Sequence, residues 1–427
     1  MQKRGVHGQR RRGAQPTQAL GFTRGNVAIR LLDQGLWSAA SFAFYLVTAM
    51  FLSVSEYASV TVCSSIGVIV AAAVRAYAVD GRVIAGARNG HSSGESLERK
   101  SLLMSGLAGA LGASLLSFIW LLAANSVIHW WLPVLAGAIV LADGPHYAYT
   151  MYGLFRRAAY VASVYAVLAG ILFVLSYREV PLPLVLTWVI ALGAVWIIGL
   201  AGPIPWKSSP FATLGVSLRL SGEALYSALG SQLGILVIFI TSPPDDTAGI
   251  RLAYSLVFAP IFMLIQGLQP LLLSRMAQLH TLGGASQLRL LWIWISFSGG
   301  GVVVSGIAGA ALALSMWQGT NFGTVLPFLL PVGAAMLGSL LLDSVMLPMR
   351  FTVAPKVPHR IRLAMVSGEA CVQITLALVW GTQGLVVALM IGFLAKVVLA
   401  CVLALRIGHA RKAVVSEIQP MKGSRVG

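Results

Sequence analysis

The run Pro181–Ala201, PLPLVLTWVIALGAVWIIGLA, has 21 residues and no charge. At 1.5 Å per residue such a helix measures ~31 Å, the thickness of the hydrocarbon layer of a bilayer. The apolar residues are continuous rather than alternating, which favours a helix over a strand of a membrane barrel. The same pattern recurs along the chain and places spans near 33–53, 57–79, 101–124, 129–150, 158–176, 181–201, 222–241, 249–273, 289–315, 324–349, 361–380 and 384–405. Composition agrees, since 57% of the 427 residues are hydrophobic and 10% are charged, with a mean hydropathy of +0.83. A soluble domain carries about 25% charged residues. The sequence therefore predicts an all-α integral membrane protein of about twelve transmembrane helices.

The net charge of +17 raises the question of nucleic acid, but its distribution answers it. If both ends lie inside, 28 of the 30 Lys and Arg residues fall in inner segments, and Arg178 and Arg251 remain outside. That partition follows the positive-inside rule and predicts cytoplasmic termini. No nucleic-acid partner is expected; membrane lipids are. Residues 1–26 read as a disordered basic tail and show no cleaved signal peptide, and residues 407–427 read as a second basic tail. The proline-bearing segment 203–220 separates an N-terminal six-helix bundle, 27–202, from a C-terminal one, 221–406. Short matches link the halves: Gln34–Ala39 with Glu223–Ala228, and Ile139–Asp143 with Ser339–Asp343. Six spans per half preserve orientation, so the repeat implies a pseudo-two-fold axis along the membrane normal.

Ionisable groups are costly inside a membrane, so those within spans are the candidates for function. Asp143 lies ~10–15 Å deep in span four, with His146 three residues later, expected to share its face. Asp343 occupies the matching place in span ten. Glu369 and Lys396, both ~12–14 Å deep in spans eleven and twelve, are expected to form an intramembrane ion pair. Asp33, Gln34 and Glu223 open spans one and seven, where they suit either helix N-termini or the mouth of a cavity. Cys63, Cys371 and Cys401 all fall in spans, an odd count that argues against disulfides. No phosphate-binding loop, metal cluster or nucleophile motif is present, so no catalytic residue, metal or cofactor is expected.

Several of these residues resemble a known pattern. Asp33-Gln34-Gly35-Leu36-Trp37-Ser38 followed by Ser55-Glu56-Tyr57-Ala58 is similar to the first hairpin of bacterial polysaccharide exporters. These belong to the multidrug/oligosaccharidyl-lipid/polysaccharide (MOP) flippase superfamily. Arg75, the stretch Asp143–Tyr147 with Phe155-Arg156-Arg157, and Arg251-Leu252-Ala253 with Pro260 and Gln266–Leu268 resemble its second, fourth and eighth helices. His146 stands where the pattern has Arg, and Pro145 enters the same turn. The resemblance implies a flippase or exporter of a lipid-linked glycan, with two bundles around a cavity open alternately to each side. Arg75, His146, Arg156 and Arg251 would then face a pyrophosphate head group, with Asp143 and Asp343 orienting them or carrying a proton. The alternatives are a twelve-helix transporter of the major-facilitator kind for a small solute, and a membrane glycan polymerase or ligase.

Overall fold

The computed structural model of the chain describes residues 24–80, 99–124, 126, 129–151, 153–177, 184–201, 214–257, 284–315, 324–352 and 356–418. Among these residues there are twelve helices. The first six are α1 (Arg24–Phe51), α2 (Val54–Arg75), α3 (Arg99–Ala123), α4 (Trp131–Met151), α5 (Phe155–Tyr177) and α6 (Leu184–Ala201). Then come α7 (Leu214–Thr241), α8 (244–257), α9 (Gly284–Ser315) and α10 (Leu326–Thr352). The last run, Lys356–Ile418, is broken at Gly381, which separates α11 (356–380) from α12 (382–418). The twelve fall on the twelve expected spans. The second half of span eight, with Pro260, Gln266 and Pro270, lies outside the described residues, as does most of the loop between α2 and α3.

Helix ends follow local chemistry where the sequence provides it. Ser53 caps α2 through a capping box, its side chain taking the Glu56 amide while Glu56 returns to the Ser53 amide. Gly381 adopts φ +59°, a left-handed conformation costly for any residue with a Cβ, and so turns α11 back into α12. Other ends do not coincide with the apolar runs. Helices α1 and α7 begin at Arg24 and Leu214, nine residues before Asp33 and Glu223, and α12 continues to Ile418. Apolar runs mark where lipid begins, whereas a helix satisfies its own backbone and can continue past that point.

The packing order repeats in the two halves. In the first, α4 packs on α2, α3 and α6, and α1 packs on α5. In the second, α10 packs on α9 and on the α11–α12 run, which also holds α7. The halves meet reciprocally, for Leu229, Leu236 and Phe239 of α7 join the core around Leu135, Tyr165 and Trp188. Phe42, Leu46 and Ala49 of α1 in turn join the core around Ile250, Leu252 and Leu385. The α2–α4 crossing depends on Gly67, where a Cβ would stand 2.9 Å from the Ala136 carbonyl oxygen.

The outward surface is apolar, with Leu111 72% and Leu330 76% exposed, as expected where hydrocarbon replaces water as solvent. Seven segments are long and apolar enough to cross a membrane by length and composition, Arg360–Arg406 among them, and it holds two helices. Helix α7 qualifies as a bent pair, turning by 51° between Ser217–Gly230 and Gln232–Thr241. Helices α1 and α4 are not among the seven. They carry the polar groups described next.

Candidate functional site

Asp33 is fully buried, 0% exposed, in the third turn of α1. Arg30, one turn earlier, pairs with one of its carboxylate oxygens, and His146 Nε2 stands 2.7 Å from the other. A carboxylate only accepts, so His146 carries its proton on Nε2. Arg30 also donates to the Thr150 hydroxyl at 2.7 Å. Trp37, one turn after Asp33, stacks flat on His146 at 4.0 Å and leans on Tyr165 at 4.9 Å. The Tyr165 hydroxyl accepts from Trp188 Nε1 at 2.9 Å. Helices α1, α4, α5 and α6 are thus held around one buried polar centre. Asp33 and Gln34 are interior residues, not mouth or N-terminal ones, because α1 starts two and a half turns earlier. Glu223 has the same register in α7, but its side chain lies outside what is described.

Asp143 and His146 do not pair. Residues three apart sit about 60° apart around a helix, and α4 packs on α2 while meeting α1 through side chains. His146 therefore turns to α1, and Asp143 to α2, where Arg75 Nε lies 3.2 Å from its Oδ2. Arg75 also lies over the Tyr147 ring, 5.1 Å from its centre, and the Tyr147 hydroxyl donates to Asp80 at 2.8 Å. Asp80 ends a five-residue π-helical turn, Ala76–Asp80, of a kind that often marks functional positions. This turn leans on α7. Nearby, the Ser221 hydroxyl donates across the halves to the Ala73 carbonyl at 2.9 Å.

Arg251 of α8 sits between the halves and is 8% exposed. Its guanidinium covers the Tyr45 ring of α1 at 4.3 Å, and Nη1 donates to Gln232 Oε1 of α7 at 3.2 Å. Its Nε is buried without a hydrogen-bond partner. Among the described residues no carboxylate forms an ion pair with it.

In the second half, Lys396 Nζ lies 2.7 Å from Glu369 Oε1 and donates to Ser339 at 3.0 Å. Gln373 Nε2 reaches the same Glu369 oxygen at 3.4 Å. Asp343 pairs with Arg362 at 2.6 Å, both exposed, so its partner comes from α11 rather than from the helix equivalent to that of Asp143. A cavity of about 150 Å³ runs between these two pairs. Arg156 is exposed in the first turn of α5 and joins none of these groups. Sequence reasoning missed Arg30, Thr150 and Asp80, and met Tyr147 only as part of the fourth-helix pattern, without a role. Arg30 and Tyr147 were findable as the residues one turn from Asp33 and Asp143.

No family model matches the chain, and no curated protein does. Solved structures do. One is the outward-facing conformation of a multidrug resistance MATE family transporter of the MOP superfamily, with a TM-score of 0.62 and 12% identity over 93% of this chain and 97% of that one. A second is a MOP superfamily transporter from Pyrococcus furiosus, whose binding pocket is described as reversed in polarity (TM-score 0.60, 12% identity, 91% and 97% covered). A third is an inward-facing MATE family transporter (TM-score 0.54, 11% identity, 90% and 96% covered). At these identities the likeness is one of fold: the chain has the twelve-helix, two-bundle architecture of MOP superfamily transporters.

Proposed function

We propose that the protein is a membrane transporter that moves an anionic amphiphile, a lipid-linked oligosaccharide or polysaccharide, across the bacterial plasma membrane by alternating access. The observation that carries this reading is Arg251. A guanidinium buried between two bundles without a carboxylate is an expense that a protein offsets with a ligand of opposite charge. Arg–phosphate contacts are among the strongest hydrogen bonds available for that purpose. Among the described residues the other enclosed cations, Arg30 and Lys396 in the interior and the half-buried Arg75, each have a carboxylate of their own, which leaves Arg251 for a pyrophosphate. The solved transporters of this fold support the architecture, and the distribution of Lys and Arg along the sequence supports placing both termini on the cytoplasmic side.

The test uses proteoliposomes holding a fluorescent lipid-linked oligosaccharide that a membrane-impermeant quencher reaches only in the outer leaflet. The wild-type protein should equilibrate the probe between leaflets. Arg251→Gln should slow it at least about tenfold, within the ~1.5–3 kcal/mol range of a charge-assisted hydrogen bond, with normal membrane insertion. Arg251→Lys should retain part of the rate. Equal rates for wild type and Arg251→Gln, or preferential movement of a cationic amphiphile, would remove this reading in favour of a multidrug-type substrate.

A further inference from the structure

The cavity inside the C-terminal bundle is separate from the Arg251 contact with α1. It is lined from α7, α8, α10, α11 and α12, with Asp343 and Arg362 at its exposed end and Glu369, Gln373 and Lys396 at its buried end. Its charges cancel in place. Asp343 is neutralised by Arg362, and Glu369 by Lys396, so neither an anion nor a cation finds an unclaimed opposite charge there. Hydrogen-bonding capacity is nonetheless left over. Gln373 is 3% exposed, and its Oε1 has no hydrogen-bond partner. Lys396 uses two of its three ammonium donors, on Glu369 and Ser339. An unsatisfied buried amide oxygen is expensive, and Gln373 is one of the residues that line the cavity. The rest of the wall includes Met336, Met346 and Met365 with Ala335 and Tyr254, and methionine adapts its shape to a ligand of variable outline.

We infer that this cavity binds a neutral polyhydroxylated ring, one sugar unit, whose hydroxyls donate to Gln373 and accept from Lys396 while its apolar face rests on the methionines. About 150 Å³ equals roughly five waters at ~30 Å³ each, which is room for one such ring. For its biological source the inference rests on the glycan reading above, and it adds which part of the substrate this bundle holds.

The experiment is saturation-transfer NMR on the full-length protein in nanodiscs free of glycosidic detergent. The probes are methyl glucoside, methyl galactoside and methyl N-acetylglucosaminide, with glucose 1-phosphate and choline as charged controls. At least one glycoside should receive magnetisation from the protein, more strongly than either control. Two variants act on different features: Gln373→Leu removes the orphan oxygen at similar volume, and Ala335→Leu fills the cavity without touching a polar group. Each should weaken the signal about threefold or more, the factor a neutral hydrogen bond carries, and a lipid-linked oligosaccharide should compete with the glycoside. Lack of transfer to every glycoside, signal unchanged in both variants, or stronger binding of either charged control would overturn the proposal. If the glycosides bind but the lipid-linked probe is neither flipped nor a competitor, the cavity assignment stands for a free sugar and the transport reading falls. If the probe is flipped and no glycoside binds, the reverse holds.

Discussion

Asp33 is out of reach of water and meets two nitrogen groups, one on each carboxylate oxygen. Such a centre is expensive to assemble and more expensive to break, because removing one charge strands the other in a medium that cannot solvate it. Asp33→Asn keeps the shape and leaves Arg30 uncompensated, with an expected loss of about 3–5 kcal/mol. Arg30→Met in the same chain removes both charges and should restore most of the loss. Apparent melting temperatures of the wild type, both single variants and the double variant, measured in one detergent, form the cycle that checks this. Additive single effects would show that the two residues do not act as a pair. The sequence did not place this centre, although every member is visible in it. Arg30 reads as one of the inner basic residues ahead of span one and Asp33 as the start of that span, because the apolar run begins at 33 and the helix does not. Glu369 and Lys396 were legible as neighbours. Both lie well inside their runs, where depth follows from residue count alone, and a short turn makes their helices antiparallel.

Helix α4 shows how far periodicity goes and where it stops. It predicts that Asp143 and His146 face roughly one way, yet a 60° difference is enough to send one to α2 and the other to α1. Which helices flank α4 is a tertiary fact that the 3.6-residue period does not contain. Helix α2 raises a different issue, since its last turns brace α7 across the halves through Ser221 and the Ala73 carbonyl. Alternating access requires the halves to part at one end and then at the other. Ala73→Cys with Ser221→Cys, in a chain whose Cys63, Cys371 and Cys401 are replaced by Ala, should cross-link on oxidation. Leaflet exchange of the fluorescent lipid should stop and then return on reduction. Exchange that continues at full rate in the cross-linked protein would mean that this contact does not open during transport.

For the whole molecule, the segregation of Lys and Arg predicts an orientation, on which packing is silent. A reporter fused at residue 90 should read cytoplasm, and one at residue 320 should read exterior. The reverse at either position would break the topology. Twelve spans and two matching halves were legible because bilayer thickness fixes helix length and six spans per half fix orientation. The bend in α7 and the cavity between Asp343 and Lys396 come from side-chain shape, which run length does not record.

The break at Gly381 has a consequence for biogenesis. With so short a turn, α11 and α12 leave the ribosome as one hairpin, and each carries a charge deep in its apolar stretch. Lys at the centre of a lone helix costs about 2.5–3.5 kcal/mol during insertion by the translocon, and a lone Glu carries a penalty of the same kind. Delivered together, antiparallel and at equal depth, Glu369 and Lys396 present a neutral, internally bonded pair to the lipid. The hairpin rather than the single helix is therefore the unit that partitions into the bilayer, and the left-handed glycine makes the two charges arrive as one.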